Sequence, residues 1–363
     1  MVSSSSSSSS SFFSFSFFFV LLLLHSCTAH NLPKFSAILI FGDSTVDTGN
    51  NNFIPTIFRA NHAPYGREFP GHVATGRFSD GKLVPDLVAS ALGIKDLVPP
   101  FLDPHLSNEE LKTGANFASA GSGYDDLTSV VSNVIPVSRQ LLLFEEYLLR
   151  LNLIVGPIEA KQIINDALVT ISAGSNDFLF SFYDIPSRKL EYDVYGYQDF
   201  LQGKLQDFIK KLISLGCRKF LVAGVPPFGC LPFQITEQSL NLTESSRGCL
   251  EKENRDARVY NFKLVRLLKK IQDSNPGVKV VYLNIYDPFI DMIDHPQKYG
   301  FVETKKGCCG SGLLEAGPIC NAFTKPCANA SQYLFWDSIH PGEEAYRVIS
   351  QFVMENALPS FLS

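Results

Sequence analysis

The sequence predicts an α/β fold: a three-layer α/β/α sandwich around a five-stranded parallel sheet. Short apolar runs, each ended by glycine or a polar turn, alternate along the chain with segments whose apolar residues recur at helical spacing. Strands covered on both faces read as near-continuous apolar runs. Strand, helix, strand in repeated order implies right-handed crossovers between parallel neighbours. No internal repeat and no linker interrupts the pattern, so one domain is expected over residues 30–363.

Residues 35–41 (FSAILIF) form the first expected strand, ended by Gly42-Asp43, and residues 116–119 a shorter second. Residues 167–172 (ALVTIS) are the third, before Ala173-Gly174, and 219–223 (KFLVA) the fourth, before Gly224. Residues 278–285 (VKVVYLNI) are the fifth. Between them, residues 140–153 are rich in leucine, and Leu201, Leu205, Phe208 and Leu212 share a helical face that stops at Gly216. Leu264, Leu268 and Ile271 repeat that spacing before Asn275-Pro276-Gly277, and Tyr346, Ile349 and Val353 do so near the end. Residues 50–85 and 307–331 read as long loops, the kind that builds binding sites in α/β domains.

Composition bounds the function. Apolar residues make up 45% of the 363 and charged residues 18%, which is globular. The formal net charge is −5 with no basic block, which argues against nucleic acid as a partner. Residues 1–29 read as a signal peptide. A serine run precedes residues 12–24, which are apolar except for Ser14 and Ser16 and too short to span a bilayer comfortably. Cys27-Thr28-Ala29 supplies the small residues of a cleavage site. No Lys or Arg precedes the apolar run, so a short membrane anchor is the competing reading. The expected location is outside the cell, free or in the cell wall.

Seven cysteines follow this leader: Cys217, Cys230, Cys249, Cys308, Cys309, Cys320 and Cys327. The last four cluster in a Gly-rich stretch, which favours disulfides in an oxidising compartment. An odd count leaves at least one unpaired, and Cys217, apart from the rest, is the candidate. Paired Cys-x-x-Cys knuckles are absent, so no metal site is expected. Asn241-Leu-Thr243 and Asn329-Ala-Ser331 are glycosylation sequons.

Four segments carry candidate chemistry. Ser44 follows the first strand, at the carboxyl edge where open α/β sheets bind ligands. Its N–H is expected near a following helix N-terminus, and a plain helix cap is the bland alternative. Asp337 and His340 stand three apart, a spacing that puts both on one side of a helical turn. The carboxylate would then hold one imidazole nitrogen while the other takes a proton. Gly121 ends the strand that begins at Asn116, and a glycine N–H can approach a ligand closely. Asn176 follows the Ser172-Ala173-Gly174-Ser175 strand end, with an amide able to donate. Gly121 also reads as an ordinary turn, Asn176 as a loop cap, and Asp337 with His340 as a surface pair.

In order, the four segments resemble the sequence blocks of the SGNH hydrolases, especially the plant GDSL esterase/lipase family. The match runs from Phe41 to about Pro341 and extends to neighbours such as Gly42-Asp43-Ser44-Thr45-Val46-Asp47-Thr48-Gly49-Asn50. The first block is most similar to the extracellular-lipase subgroup. Thr45 replaces the leucine of the GDSL signature, a position that performs no chemistry. The resemblance implies a flavodoxin-like fold and Ser44 as nucleophile, His340 as base and Asp337 as its supporting acid. It also implies an oxyanion hole of Ser44, Gly121 and Asn176, with Gly123 the nearby alternative to Gly121. The implied activity is carboxylic ester hydrolysis without a cofactor, on a small-molecule or lipid ester, and it should weaken at acid pH. An acyltransferase or a catalytically silent binding protein on the same scaffold are the other readings.

Overall fold

The computed structural model describes residues 1–2, 32–185, 187–238 and 247–362. The leader and Asn241 therefore lie outside the described residues. Four apolar runs form five-residue strands: β1 (Ile38–Gly42), β2 (Leu168–Ser172), β3 (Lys219–Ala223) and β4 (Lys279–Leu283). They pair in parallel in the order β1-β2-β3-β4, with Ile40, Thr170, Leu221 and Val281 in one register row. The α/β class holds.

The short second strand expected at residues 116–119 is a correction, and the main sheet has four strands. Residues 113–119 run beside β1 and exchange hydrogen bonds with it: Ile40 N–H to Ala115 O at 3.2 Å, Phe117 N–H to Ile40 O at 2.8 Å and Ser119 N–H to Gly42 O at 3.0 Å. Only Ile40 and Asn116 complete a bridge, so the ladder never becomes a strand. At one end the Gly42 N–H is taken by the Gln140 side chain at 2.9 Å. At the other, Gly114 adopts a φ of +94°, which breaks the extended run although Thr113 O still accepts Ile38 N–H at 3.1 Å. The segment is an interrupted edge.

The helices are α1 (Val84–Ala91), α2 (Asn108–Lys112), α3 (Asp126–Ser132), α4 (Val137–Val155) and α5 (Pro157–Asp166). Then come α6 (Val194–Ser214), α7 (Pro232–Gln238), α8 (Glu251–Asp273), α9 (Tyr286–Asp294) and α10 (Glu343–Phe352). Phe41 shows how one layer is held: its ring packs on Phe144 of α4 at 5.6 Å and on Phe208 of α6 at 5.4 Å. Those edge-to-face contacts add about 1 kcal/mol each beyond area burial. On the other face α10 packs against α1 and α9. A second, two-stranded parallel sheet pairs β5 (Glu303–Gly307) with β6 (Tyr333–Phe335). Disulfides Cys308–Cys327 and Cys309–Cys320 follow β5, and Cys230–Cys249 ties the start of α7 to that of α8. Among the described residues Cys217 is the free thiol; burial pushes it up to about 12, which keeps it protonated and inert.

The long loop before α1 is pinned by a buried ion pair. Arg77 donates to both oxygens of Asp86 at 2.8 and 2.7 Å and also to the carbonyls of Thr48 and Val98. Asp86 in turn accepts the N–H groups of Leu83 and Val98. Every charge-bearing atom is thereby matched, as burial demands. Arg77→Met should cost about 3–5 kcal/mol, because it strands the Asp86 carboxylate; urea unfolding of the variant measures it. Burial also pushes the Asp47 and Asp80 carboxyls up to about 6 and Asp177 up to about 7, against the hydrogen bonds they accept. A folded-state value above the unfolded one means the native state holds more protons, so stability falls as pH rises through that window. Asp125 and Asp291, held low by their basic partners, act in the opposite sense at more acid pH. The melting temperature should therefore decline as pH goes from about 4 to about 7, which calorimetry across that range checks.

Candidate active site

Ser44 sits in the turn that leaves β1. Val46 N–H and Asp47 N–H both bond to Asp43 O, at 3.2 and 2.9 Å, which curls the backbone around Ser44. The expected helix N-terminus is not there, since the first α-helix begins only at Val84. The turn is held from β2 instead: Asp43 N–H bonds to Ser172 O, and the Thr45 hydroxyl bridges Asp43 Oδ1 and Ser172 Oγ. Burial pushes the Asp43 carboxyl up to about 6, although its bonds from Thr45 and the nearby His340 pull it down.

Across 296 residues of chain, Ser44 Oγ lies 2.8 Å from His340 Nε2. His340 Nδ1 lies 2.9 and 2.8 Å from the two oxygens of Asp337. Residues 337–340 are not a helical turn as the spacing predicts. Asp337 Oδ1 accepts the N–H groups of Ile339 and His340, at 2.8 and 2.7 Å, and folds the chain into a bend around itself. Asp337 is fully buried, and the Tyr65 hydroxyl donates to its Oδ2 at 2.7 Å. A carboxylate only accepts, so Nδ1 must carry the imidazole proton and Nε2 is left to accept from Ser44.

Gly121 and Asn176 converge on the same place. Asp47 accepts Ala120 N–H at 3.0 Å and the Asn51 amide donates to Ala120 O at 2.9 Å, which fixes the peptide just before Gly121. Gly121 has a φ of +85° and lines a cavity of about 190 Å³ together with Ser44, Asn176 and His340. Gly123 has another role: a Cβ there would lie 2.1 Å from an Asp177 oxygen, so its lack of a side chain admits that carboxylate. Asn176 Nδ2 donates to Ser122 O at 2.9 Å, leaving its second hydrogen for a ligand. Asp177 next to it accepts Tyr124 N–H, Asp125 N–H and the Thr128 hydroxyl, so the two loops are clamped together.

Sequence reasoning missed Tyr65 and Phe78. Tyr65 receives Gly317 N–H at 2.7 Å while bonding Asp337, which ties the disulfide loop to the carboxylate. Phe78 packs its ring 4.9 Å from the His340 ring. Both come from the 50–85 loop, where no periodicity marks a buried side chain. Among the described residues no cluster of three or more His, Cys, Asp or Glu could hold a metal ion. What the site offers is a hydroxyl beside an acceptor nitrogen, a buried carboxylate behind it, and Gly121 and Asn176 lining the same cavity.

The family model described as GDSL-like Lipase/Acylhydrolase matches residues 38–353. GDSL esterase/lipase At2g30310 of Arabidopsis thaliana is 56% identical over 330 residues, covering 90% of this chain and 91% of its own. GDSL esterase/lipase At2g30220 of the same plant is 54% identical over 335 residues, with 91% and 93% covered. A solved Geobacillus stearothermophilus acetylxylan esterase mutant aligns at 15% identity and TM-score 0.40, over 89% of this chain and 94% of that one. Matched along nearly all of its described length, the chain belongs to the GDSL-like lipase/acylhydrolase family and is a carboxylic ester hydrolase.

Proposed function

We propose that the protein cleaves carboxylic esters in two acyl-transfer steps at Ser44. The observation that carries the reading is the 2.8 Å contact between Ser44 Oγ and His340 Nε2. His340 takes the hydroxyl proton as Oγ attacks the ester carbonyl, then returns it to the departing alcohol. Asp337 holds Nδ1 and stabilises the imidazolium while it exists. The N–H groups of Ser44 and Gly121 and the Asn176 amide hold the developing oxyanion, each worth roughly 3 kcal/mol of transition-state stabilisation. Water then repeats the sequence on the acyl-enzyme and releases the acid.

Tyr65 belongs to this machinery as a positioning residue. Its hydroxyl donates to Asp337 Oδ2, the oxygen that also lies 2.8 Å from His340 Nδ1, and its own partner Gly317 N–H leaves the hydroxyl hydrogen pointed at the carboxylate. We also infer export. The leader read from the sequence, three disulfides and the exposed Asn329 of a sequon support it. No helix among the described residues is long and apolar enough to cross a membrane.

Hydrolysis of p-nitrophenyl acetate by wild type and Ser44→Ala tests the nucleophile. The variant should keep its fold and lose at least about a thousandfold in kcat; matching rates would remove Ser44 from the mechanism. Tyr65→Phe keeps the ring and deletes the donor. A hydrogen bond to a charged group is worth about 1.5–3 kcal/mol, so kcat should drop about tenfold or more with KM nearly constant. Steady-state kinetics separates that result from a rise in KM, which would mean that Tyr65 shapes the substrate site instead.

A further inference from the structure

Behind one wall of the active-site cavity, buried acceptor oxygens gather with no donor to meet them. Residues Asp177–Asp184 wind as a π-helix immediately after Asn176. Such wide turns are rare and concentrate at functional sites. The π-helix carries Phe180 and α7 carries Phe233, and both rings line the cavity that holds Ser44, Gly121, Asn176 and His340. α7 also meets the catalytic bend, since Phe233 N–H bonds to Ser338 O at 2.9 Å. The two walls join where the π-helix ends. Gln234, one residue past Phe233, donates from Nε2 to Asp184 Oδ1 at 2.9 Å. The oxygen of that amide and Asp184 Oδ2 are both buried without a partner. So is Oε2 of Glu253 on α8, a side chain 5% exposed. An amide oxygen and two ionised carboxyl oxygens can only accept.

Among the described residues the neighbours do not supply the missing hydrogens. Glu237 of α7 faces Asp184 within hydrogen-bond reach, but it is another carboxyl. Tyr183 gives its hydroxyl hydrogen to Asp256 at 2.6 Å. Lys189 and Lys252 are close enough to Glu253 to favour its charge, yet neither bonds its buried oxygen. Arg247, against α7, is taken by Thr236 and by the carbonyls of Pro232 and Lys305. A proton added to a carboxyl turns it into a donor and meets the need from within. Burial pushes both Asp184 and Glu253 up, Glu253 to about 7, and acidic neighbours push the same way.

We propose that Asp184, Glu237 and Glu253 share protons as a latch between the π-helix and α7, and that losing those protons widens the active-site cavity between Phe180 and Phe233; the proposal rests on the ester-hydrolase reading of Ser44. In the protonated state a carboxylic O–H joins Asp184 to Glu237, which two charged carboxylates at that range cannot do. When the protons leave, three negative charges meet where water screens them poorly, and they repel. The latch is therefore closed below about pH 7 and opens above it. Asp184 is the last residue of the π-helix and Phe180 lies about one turn before it, so release acts on that ring. The rim of this cavity at Ile57 and Ile319 is 72% and 59% exposed, so the alcohol leaves on this side. A wider gap there admits a bulkier alkoxy group. Asp184 and Glu253 act through the walls they hold and are positioning residues.

The test is the ratio of kcat/KM for 1-naphthyl acetate to that for phenyl acetate, followed from about pH 6 to about pH 8. Ionisation of His340 in the free enzyme affects both esters alike and divides out, so the ratio reads the cavity. It should rise about tenfold with pH in wild type. Asp184→Asn and Glu253→Gln keep the side-chain shape and supply an N–H at every pH, and each should hold the ratio flat at its acid value. A wild-type ratio without pH dependence overturns the latch, as does one that rises as steeply in both variants. Infrared difference spectra provide a readout without turnover. The protonated-carboxyl C=O band that wild type loses over the same pH range should be smaller in each variant, and equal bands overturn the latch. If wild type cleaves neither ester, the ester-hydrolase reading fails while the infrared comparison still decides the latch, so the two failures are told apart.

Discussion

Asp337 is buried completely and has nothing to donate, and that constraint organises the site around it. Each of its oxygens must be met by an N–H or O–H supplied from elsewhere, because an unpaired buried carboxylate would cost several kcal/mol. Two donors come from its own bend, one from Tyr65, and one from the imidazole of His340. Meeting that demand fixes the ring's tautomer and its direction. The hydrogen bond to Ser44 is then a consequence, since Nε2 is the only acceptor the ring has left.

The same device recurs around the site. Asp47 gathers N–H groups from Gly49, Asn50 and Ala120, and Asp177 gathers those of Tyr124 and Asp125. In each case one carboxylate joins segments far apart in sequence without needing a helix or a ladder. Backbone donors in loops have no regular partners, so a side chain must provide them. Desolvation raises these groups toward neutrality, and the hydrogen bonds they accept offset part of it. Loops stapled in this way can carry Gly121 and Asn176 with the accuracy that strands would give.

The disulfide region contributes through backbone hydrogen bonds. Cys308 N–H and Cys309 N–H bond to the carbonyls of Phe335 and Trp336, immediately before Asp337. Gly317, inside the loop closed by Cys309 and Cys320, donates to Tyr65. Cross-linking restrains that loop in the unfolded chain and so favours the arrangement that presents Gly317. Tyr65 thus stands between an oxidised surface loop and the carboxylate.

By itself the sequence determined the α/β class, the four strands of the main sheet and the helical stripes between them, because apolar periodicity is a local signal. It also marked Ser44, Asp337, His340, Gly121 and Asn176 through their neighbours along the chain. Tertiary structure decided the rest. Residues 116–119 look like a strand, but Gln140 claims the Gly42 N–H and Gly114 breaks the extended backbone, so pairing stops at one bridge. β5 (ETKKG) has no apolar pattern and exists because β6 lies beside it. Tyr65 reaches Asp337 across 272 residues of chain, and Phe78 reaches the His340 ring, only when the 50–85 loop folds over the site. Contacts made by packing across long separations leave no periodic trace in a single chain of letters.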